Sequence, residues 1–238
     1  MFDAIEAADW TAIPGFAKFY EPATIAPALR KLAAATAPAQ AAEAAAPLFS
    51  HGLIHSHSAG VHPASVTATP ILLEIIGHAH PATHSAALGL ITEAMTGYPY
   101  TGFTTVATVD GPDIPLCCAV AHLTRSSQAV LSALGRPGKN LLSITDEHWR
   151  FTIAETASGP TPASALVTGT LEGRPRLPAG QFDIRHPLQP ALRLQGAITS
   201  MEPATRQAEQ VYLTIDGVGP EQLPPRTTLW APCTDRVH

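Results

Sequence analysis

The apolar residues of this chain change their period once, near Trp149, and that change limits what the chain can fold into. Before it, apolar positions recur every three or four residues, as on one face of a helix. Ile71, Leu72, Ile75 and Ile76 form one such stripe; Ala87, Leu90, Ile91 and Ala94 form another. After it, apolar and polar residues alternate, as in half-buried strands, most cleanly at Val211, Leu213 and Ile215. The expected fold class is therefore α+β with two domains. Residues 1–145 form an α-helical domain and residues 146–238 a small six-stranded antiparallel β-barrel.

Proline and glycine set the expected boundaries of the helical part. Pro22, Pro38, Pro63 and Pro81 each suit the first turn of a helix, where a missing N–H costs nothing. Gly52, Gly77 and Gly97 suit helix ends. Thr69-Pro70 reads as a restart, and Asp9 to Gly15 as a short helix running into a turn. Tyr98 to Pro112 lacks any period and reads as a long loop. Leu116–Thr124 and Ser126–Leu134 then read as helices, Gly135–Gly138 as a turn, and Lys139–Ile144 as a last short helix. Ile25–Leu32, His51–His55 and Ala68–Ile75 give this part a resemblance to HEAT-like helical repeats. That resemblance implies paired helices and an extended protein-binding face.

In the second part, six strands are expected around Phe151–Ile153, Leu166–Leu171, Phe182–Ile184, Leu192–Ile198, Val211–Ile215 and Thr227–Trp230. Six short strands joined by turns, with no helix between them, suggest a closed barrel. Gly169 and Gly180 fall where such a barrel turns corners, and Gly196 interrupts the strand Leu192–Ile198. Trp149–Ile153, Leu166–Gly173, Gly180–Ile184, Val211–Val218 and Leu229–Pro232 resemble the second domain of elongation factor Tu and related translational GTPases. The resemblance implies a barrel and a docking surface. The sequence departs from that family in having no G-x-x-x-x-G-K-[ST], so no bound nucleotide is expected.

Charge narrows the partners. Up to and including Asp146 there are six Lys+Arg against ten Asp+Glu; after it there are eight against nine, with no lysine. Neither part has the basic excess that phosphate binding needs, so a nucleic-acid partner is not expected. No apolar run reaches the roughly 18 residues of a membrane span, and no signal-peptide pattern opens the chain. Three cysteines, two of them adjacent (Cys117, Cys118 and Cys233), make a poor disulfide framework, and a reduced cytoplasm is the expected compartment.

Histidine is the one provocative residue. Seven of the eleven lie between His51 and His84. Imidazole is a common zinc ligand, and His51, His55, His57 and His62 are the residues that would hold a metal. The pattern argues against one. Gly52 interrupts the i, i+4 pair His51/His55, and Pro81 disfavours helix at His80, before His84. Glu74 is the only carboxylate between positions 44 and 92. Such a cluster could instead titrate as a pH-sensitive surface. No nucleophile motif occurs: Cys117 and Cys118 open an apolar helix, and Ser126-Ser127 suit a helix N-cap.

The expected function is a non-enzymatic bacterial protein-binding adaptor without cofactor or catalytic residues. One concrete form is an immunity or regulatory protein acting on a toxin or a translation-related target. The alternatives are a tRNA accessory factor that uses the barrel and a metal-dependent enzyme built on the histidines.

Overall fold

The structure is a computed structural model. It describes residues 2–108, 111–175, 182–186, 189–194, 196–203 and 210–233. The chain divides into two compact units. The first comprises Met1–Val106, Ile114–Thr145 and Arg236–His238; the second comprises Ala107–Asp113 and Asp146–Asp235.

The first unit is helical. Its chain runs through α1 (Phe2–Ala7), α2 (Ile25–Ala34), α3 (Pro38–Pro47), β1 (Ile54–His55), β2 (Gly60–Val61), α4 (Ala64–His78) and α5 (His84–Thr96). It continues through β3 (Tyr98–Pro99), α6 (Leu116–Arg125), α7 (Gln128–Ala133) and α8 (Arg136–Glu147); between β3 and α6 run the paired strands β4 (Thr105–Thr108) and β5 (Gly111–Pro115), which have residues in both units. α2 packs on α3, and α4 packs on both α5 and α6. Ile25, Leu29, Leu32, Leu72, Ile75 and Leu90 lie at the centre of their core. A helix-rich unit is thus present; a repeat of one structural motif along it is not shown.

Several boundaries differ from those expected. Residues 10–12 form a turn rather than a helix, and the first helix precedes them at Phe2–Ala7. α3 ends at Pro47 and passes into a π-turn at Leu48–Gly52. α4 is continuous through Pro70. Proline removes the bond to the carbonyl of Val66. Burial of Ile71, Leu72, Ile75 and Ile76 on the following turns offsets that loss. The expected loop at 98–112 holds three short strands. The expected turn at 135–138 is the start of α8, with Pro137 in its first turn, where its missing N–H is harmless.

The second unit is a curled antiparallel sheet. Its strands are β6 (Arg150–Ser158), β7 (Ser164–Glu172), β8 (Phe182–His186), β9 (Gln189–Leu194), β10 (Ala197–Pro203), β11 (Gln210–Asp216) and β12 (Thr228–Trp230). Their order is β10-β11-β7-β6-β12-β8-β9. Among the described residues the strands number seven rather than six, the expected strand 192–198 being divided between β9, which ends at Leu194, and β10, which begins at Ala197. No pairing between the end strands β10 and β9 occurs among the described residues, so the sheet is curled but not shown to close. The expected turn through Gly180 and the inward faces of Leu192 and Leu194 lie outside the described residues and side chains.

The strands form where the sequence alternates. Leu213 and Ile215 are buried, whereas Tyr212 is exposed. Leu213 sits opposite Val167, and Ile215 opposite Ala165, both buried as well. Phe151, fully buried on β6, faces Leu171. Gly169 lets β6 and β7 approach closely. A Cβ there would lie 2.0 Å from the Thr152 carbonyl oxygen and 2.9 Å from the Phe151 ring. Beside the sheet core, Arg150 pairs with Glu172 and lies 5.7 Å over the Trp230 ring.

Candidate functional site: a histidine–aromatic cluster and a helical groove

The histidines expected to matter collect on the short β1–β2 hairpin, not on a helix. His51 belongs to the π-turn and His55 to β1, so a shared helix face is absent. The hairpin pairs Ile54 with Val61 and His55 with Gly60. Its turn contains Ala59 in the left-handed region at φ 51°. β3 adds in parallel, pairing Gly60 with Tyr98 and bringing Tyr100 to the hairpin. Gly60 is required for that approach, since a Cβ there would lie 2.3 Å from the Tyr100 ring.

Polar and ring contacts knit the cluster. Ser58 Oγ lies 2.7 Å from His55 Nδ1 and 3.0 Å from Tyr100 Oη. The His55 ring stacks on Phe19 at 4.1 Å with an interplanar angle of 10°. Tyr100 stacks on Phe16 and on His62, at 4.9 and 5.0 Å. His51 and His57 have ring centres 5.9 and 5.8 Å from that of His55. Phe16, Phe19 and Tyr20 come from the segment after α1, which lies over the hairpin as a strap. Tyr20 Oη donates to the Trp10 carbonyl, the Trp10 indole donates to Ile5, and the Glu21 amide donates to the His51 carbonyl.

His62 is the centre of this cluster and is fully buried. Its Nε2 lies 3.1 Å from the Phe19 carbonyl oxygen. A carbonyl only accepts, so Nε2 carries the proton of the neutral ring. Nδ1 is then a bare acceptor, and it is buried without a hydrogen-bond partner. Burial pushes the His62 pKa down to about 4; the Phe19 carbonyl opposes this, and His55 and His51 add to it. Burial also pushes Tyr20 up to about 12.

His51, His55, His57 and His62 do not bring three ligand atoms close enough together to hold one metal ion. His80 and His84 are likewise split: His80 is extended and caps the turn at Pro81–Thr83, and His84 opens α5. Cys117 and Cys118 are buried in α6. Ser126 donates to the Leu123 carbonyl, and Ser127 caps α7 without a side-chain bond. Sequence reasoning missed the strap, because its aromatic residues meet partners about 40 to 80 positions away. It also missed a buried pair in the second unit, Cys233 Sγ and His148 Nδ1, 3.3 Å apart.

A second feature is an open groove of about 960 Å³ along α2 and α3. Pro27, Ala34, Ala46 and Pro47 line it, with Lys31 and Glu43 as its charged residues. A smaller groove of about 580 Å³ lies between α5 and α8, beside Leu88, Leu141 and Ile144.

No protein-family model matches the chain, and no curated protein matches it. Among solved structures, the apo form of translation elongation factor SelB from Methanococcus maripaludis is similar over 48% of this chain and 32% of that one. The TM-score is 0.27 and the identity 9%. The chain thus spans about a third of that structure's length. A superposition this partial assigns neither fold nor activity. No described helix is long and apolar enough to cross a membrane.

Proposed function

We propose that this protein is a non-enzymatic adaptor of the bacterial cytoplasm that binds another protein along the α2–α3 groove. The groove is the observation that supports the reading. Its walls are mostly alanine and proline, which are too short to close over a ligand. A small-molecule site buries most of its ligand in a concavity with a few convergent polar groups. An open trough with one lysine and one glutamate instead suits a peptide segment or a helix laid along it. In this reading the helices form a HEAT-like array and the curled sheet is a barrel of the elongation factor Tu second-domain kind. The partner is a toxin or a translation-related protein held in check.

Photo-crosslinking tests the reading. A photoreactive residue is placed at Ala34 or Ala46, both exposed in the groove, and at Ser132 on α7 as a control. The expected result is a one-to-one protein adduct from the two groove positions, competed away by unlabelled protein and absent from the control. Equal yields at all three positions, or no adduct from the groove, would overturn it.

A further inference from the structure

The strap from Asp9 to Tyr20 meets the hairpin through contacts to His55, His62 and Tyr100. Phe19 contributes its carbonyl to His62 and its ring to His55. Tyr20 packs against His62 at 4.8 Å, and Phe16 against Tyr100. The next amide, Glu21, is tied to His51. We propose that His62 makes this strap an acid-released latch, closed while the imidazole is neutral and freed when the ring takes up a second proton. The proposal goes beyond the adaptor reading and does not depend on it.

The reason lies in where the second proton must go. Nε2 already donates to Phe19, so the new proton lands on Nδ1, which is buried and has no acceptor. A buried cation without a partner is strongly disfavoured. The groups facing His62 do not relieve it. They are Tyr20 from the strap, His51 and His55 from the π-turn and β1, and Tyr100 from the segment after β3. The two histidines repel a charge on His62, and none of these four side chains is a carboxylate. Lys18, whose ammonium sits 5.0 Å over the Phe19 ring, adds positive charge from the strap. The Glu21 carboxylate is on an exposed residue.

Lifting the strap solves the problem at one stroke. It removes Phe19 and Tyr20 from the ring and lets water reach Nδ1. The open form thus binds a proton that the closed form rejects. Its population rises about tenfold per pH unit between the ordinary histidine range near 6.5 and the depressed value. This opening is confined to the strap and the hairpin it covers.

Amide hydrogen exchange tests this on the intact chain. The probes are the Phe19 amide, bonded to Phe16, and the Glu21 amide, bonded to His51; amides of α5 serve as reference. Rates are corrected for intrinsic chemistry at pH 7, 6 and 5. The expected result is strap protection falling about tenfold per unit below pH 6.5 and staying far below α5 protection at each pH, because α5 opens only with the whole unit. His62→Gln keeps a donor toward Phe19 but cannot titrate, and should flatten the slope. His55→Gln should leave the slope in place. Three outcomes sink the proposal: strap protection independent of pH, strap and α5 failing together, or a slope that vanishes in His55→Gln. If His62→Gln folds and keeps the wild-type slope, the proposal also fails. If it does not fold, the wild-type and His55→Gln comparisons decide alone.

Discussion

The helical unit and the sheet unit fill their interiors with different material. The helical unit buries many small residues, Ala28, Ala41, Ala44, Ala45, Ala64 and Ala68, among aliphatic ones such as Ile25, Leu29, Leu32, Leu72, Ile75 and Leu90. The sheet is filled by a few large side chains, with Phe151 and Phe182 among the largest fully buried residues of the chain. Each buried alanine contributes little apolar area, so where alanines meet, the helices depend also on how closely backbones approach. Each large residue in the second contributes about 1.5–3 kcal/mol, so that unit depends on single side chains. The two should therefore fail differently, the sheet by loss of volume and the helices by its gain.

The largest effect is expected from Phe151→Ala. The residue is fully buried, and its ring packs where Gly169 lets the strands close up. The loss should be about 4 kcal/mol, within the usual range for such truncations, read as a lower urea midpoint. A loss under about 1.5 kcal/mol would mean that the sheet collapses around the gap and does not depend on single side chains.

Acid should strike the helical unit next. The folded pKa of His62 lies below its unfolded value, so the folded state binds fewer protons in that window. Stability is then complete above about pH 6.5 and is lost as pH falls toward 4, by about 3 kcal/mol in total. Urea titrations at pH 7.5 and 4.5 should show a loss in the wild type that is much smaller in His62→Gln. An equal loss in both would place the acid sensitivity elsewhere.

A matched pair of glycine substitutions sharpens the comparison inside the helices. Glycine to alanine in a helix ordinarily stabilises by about 1 kcal/mol. Gly77→Ala should do so in part, because its Cβ would meet only Val130, at 3.8 Å. Gly138→Ala should reverse the sign and cost about 2 kcal/mol, because its Cβ would fall 1.8 Å from the Leu131 carbonyl oxygen. Thermal melts of the two variants should move in opposite directions. If both rise, close backbone approach does not limit this unit.

The smallest effect is at a helix start. Gln40 Oε1 accepts from the Thr36 and Ala37 amides at 3.0 and 3.2 Å, closing the first turn of α3. Gln40→Ala should cost about 1 kcal/mol, visible as a small drop in melting temperature.

What the sequence disclosed follows from range. Alternation at Val211–Ile215 and the helix starts at Pro22, Pro38 and Pro81 are local signals, and the structure carries strands and helical turns there. Pro70 misled, because a local rule about a missing N–H was outweighed by burial on the turns after it. The strands within 98–115 were hidden because pairs of two to five residues have no room to show a period. The histidine cluster was countable in the sequence, but its chemistry was not. Nothing near His62 in the chain says that Phe19 supplies its acceptor and Tyr100 its lid. The one usable hint was Gly60, a glycine directly before the buried Val61 and His62.

The fit of Gly60 under Tyr100 also has a meaning for descent. A lineage that keeps a tyrosine at position 100 has almost no freedom at position 60. One that shrinks residue 100 opens room there for a side chain. The two positions should therefore change as a pair among true relatives.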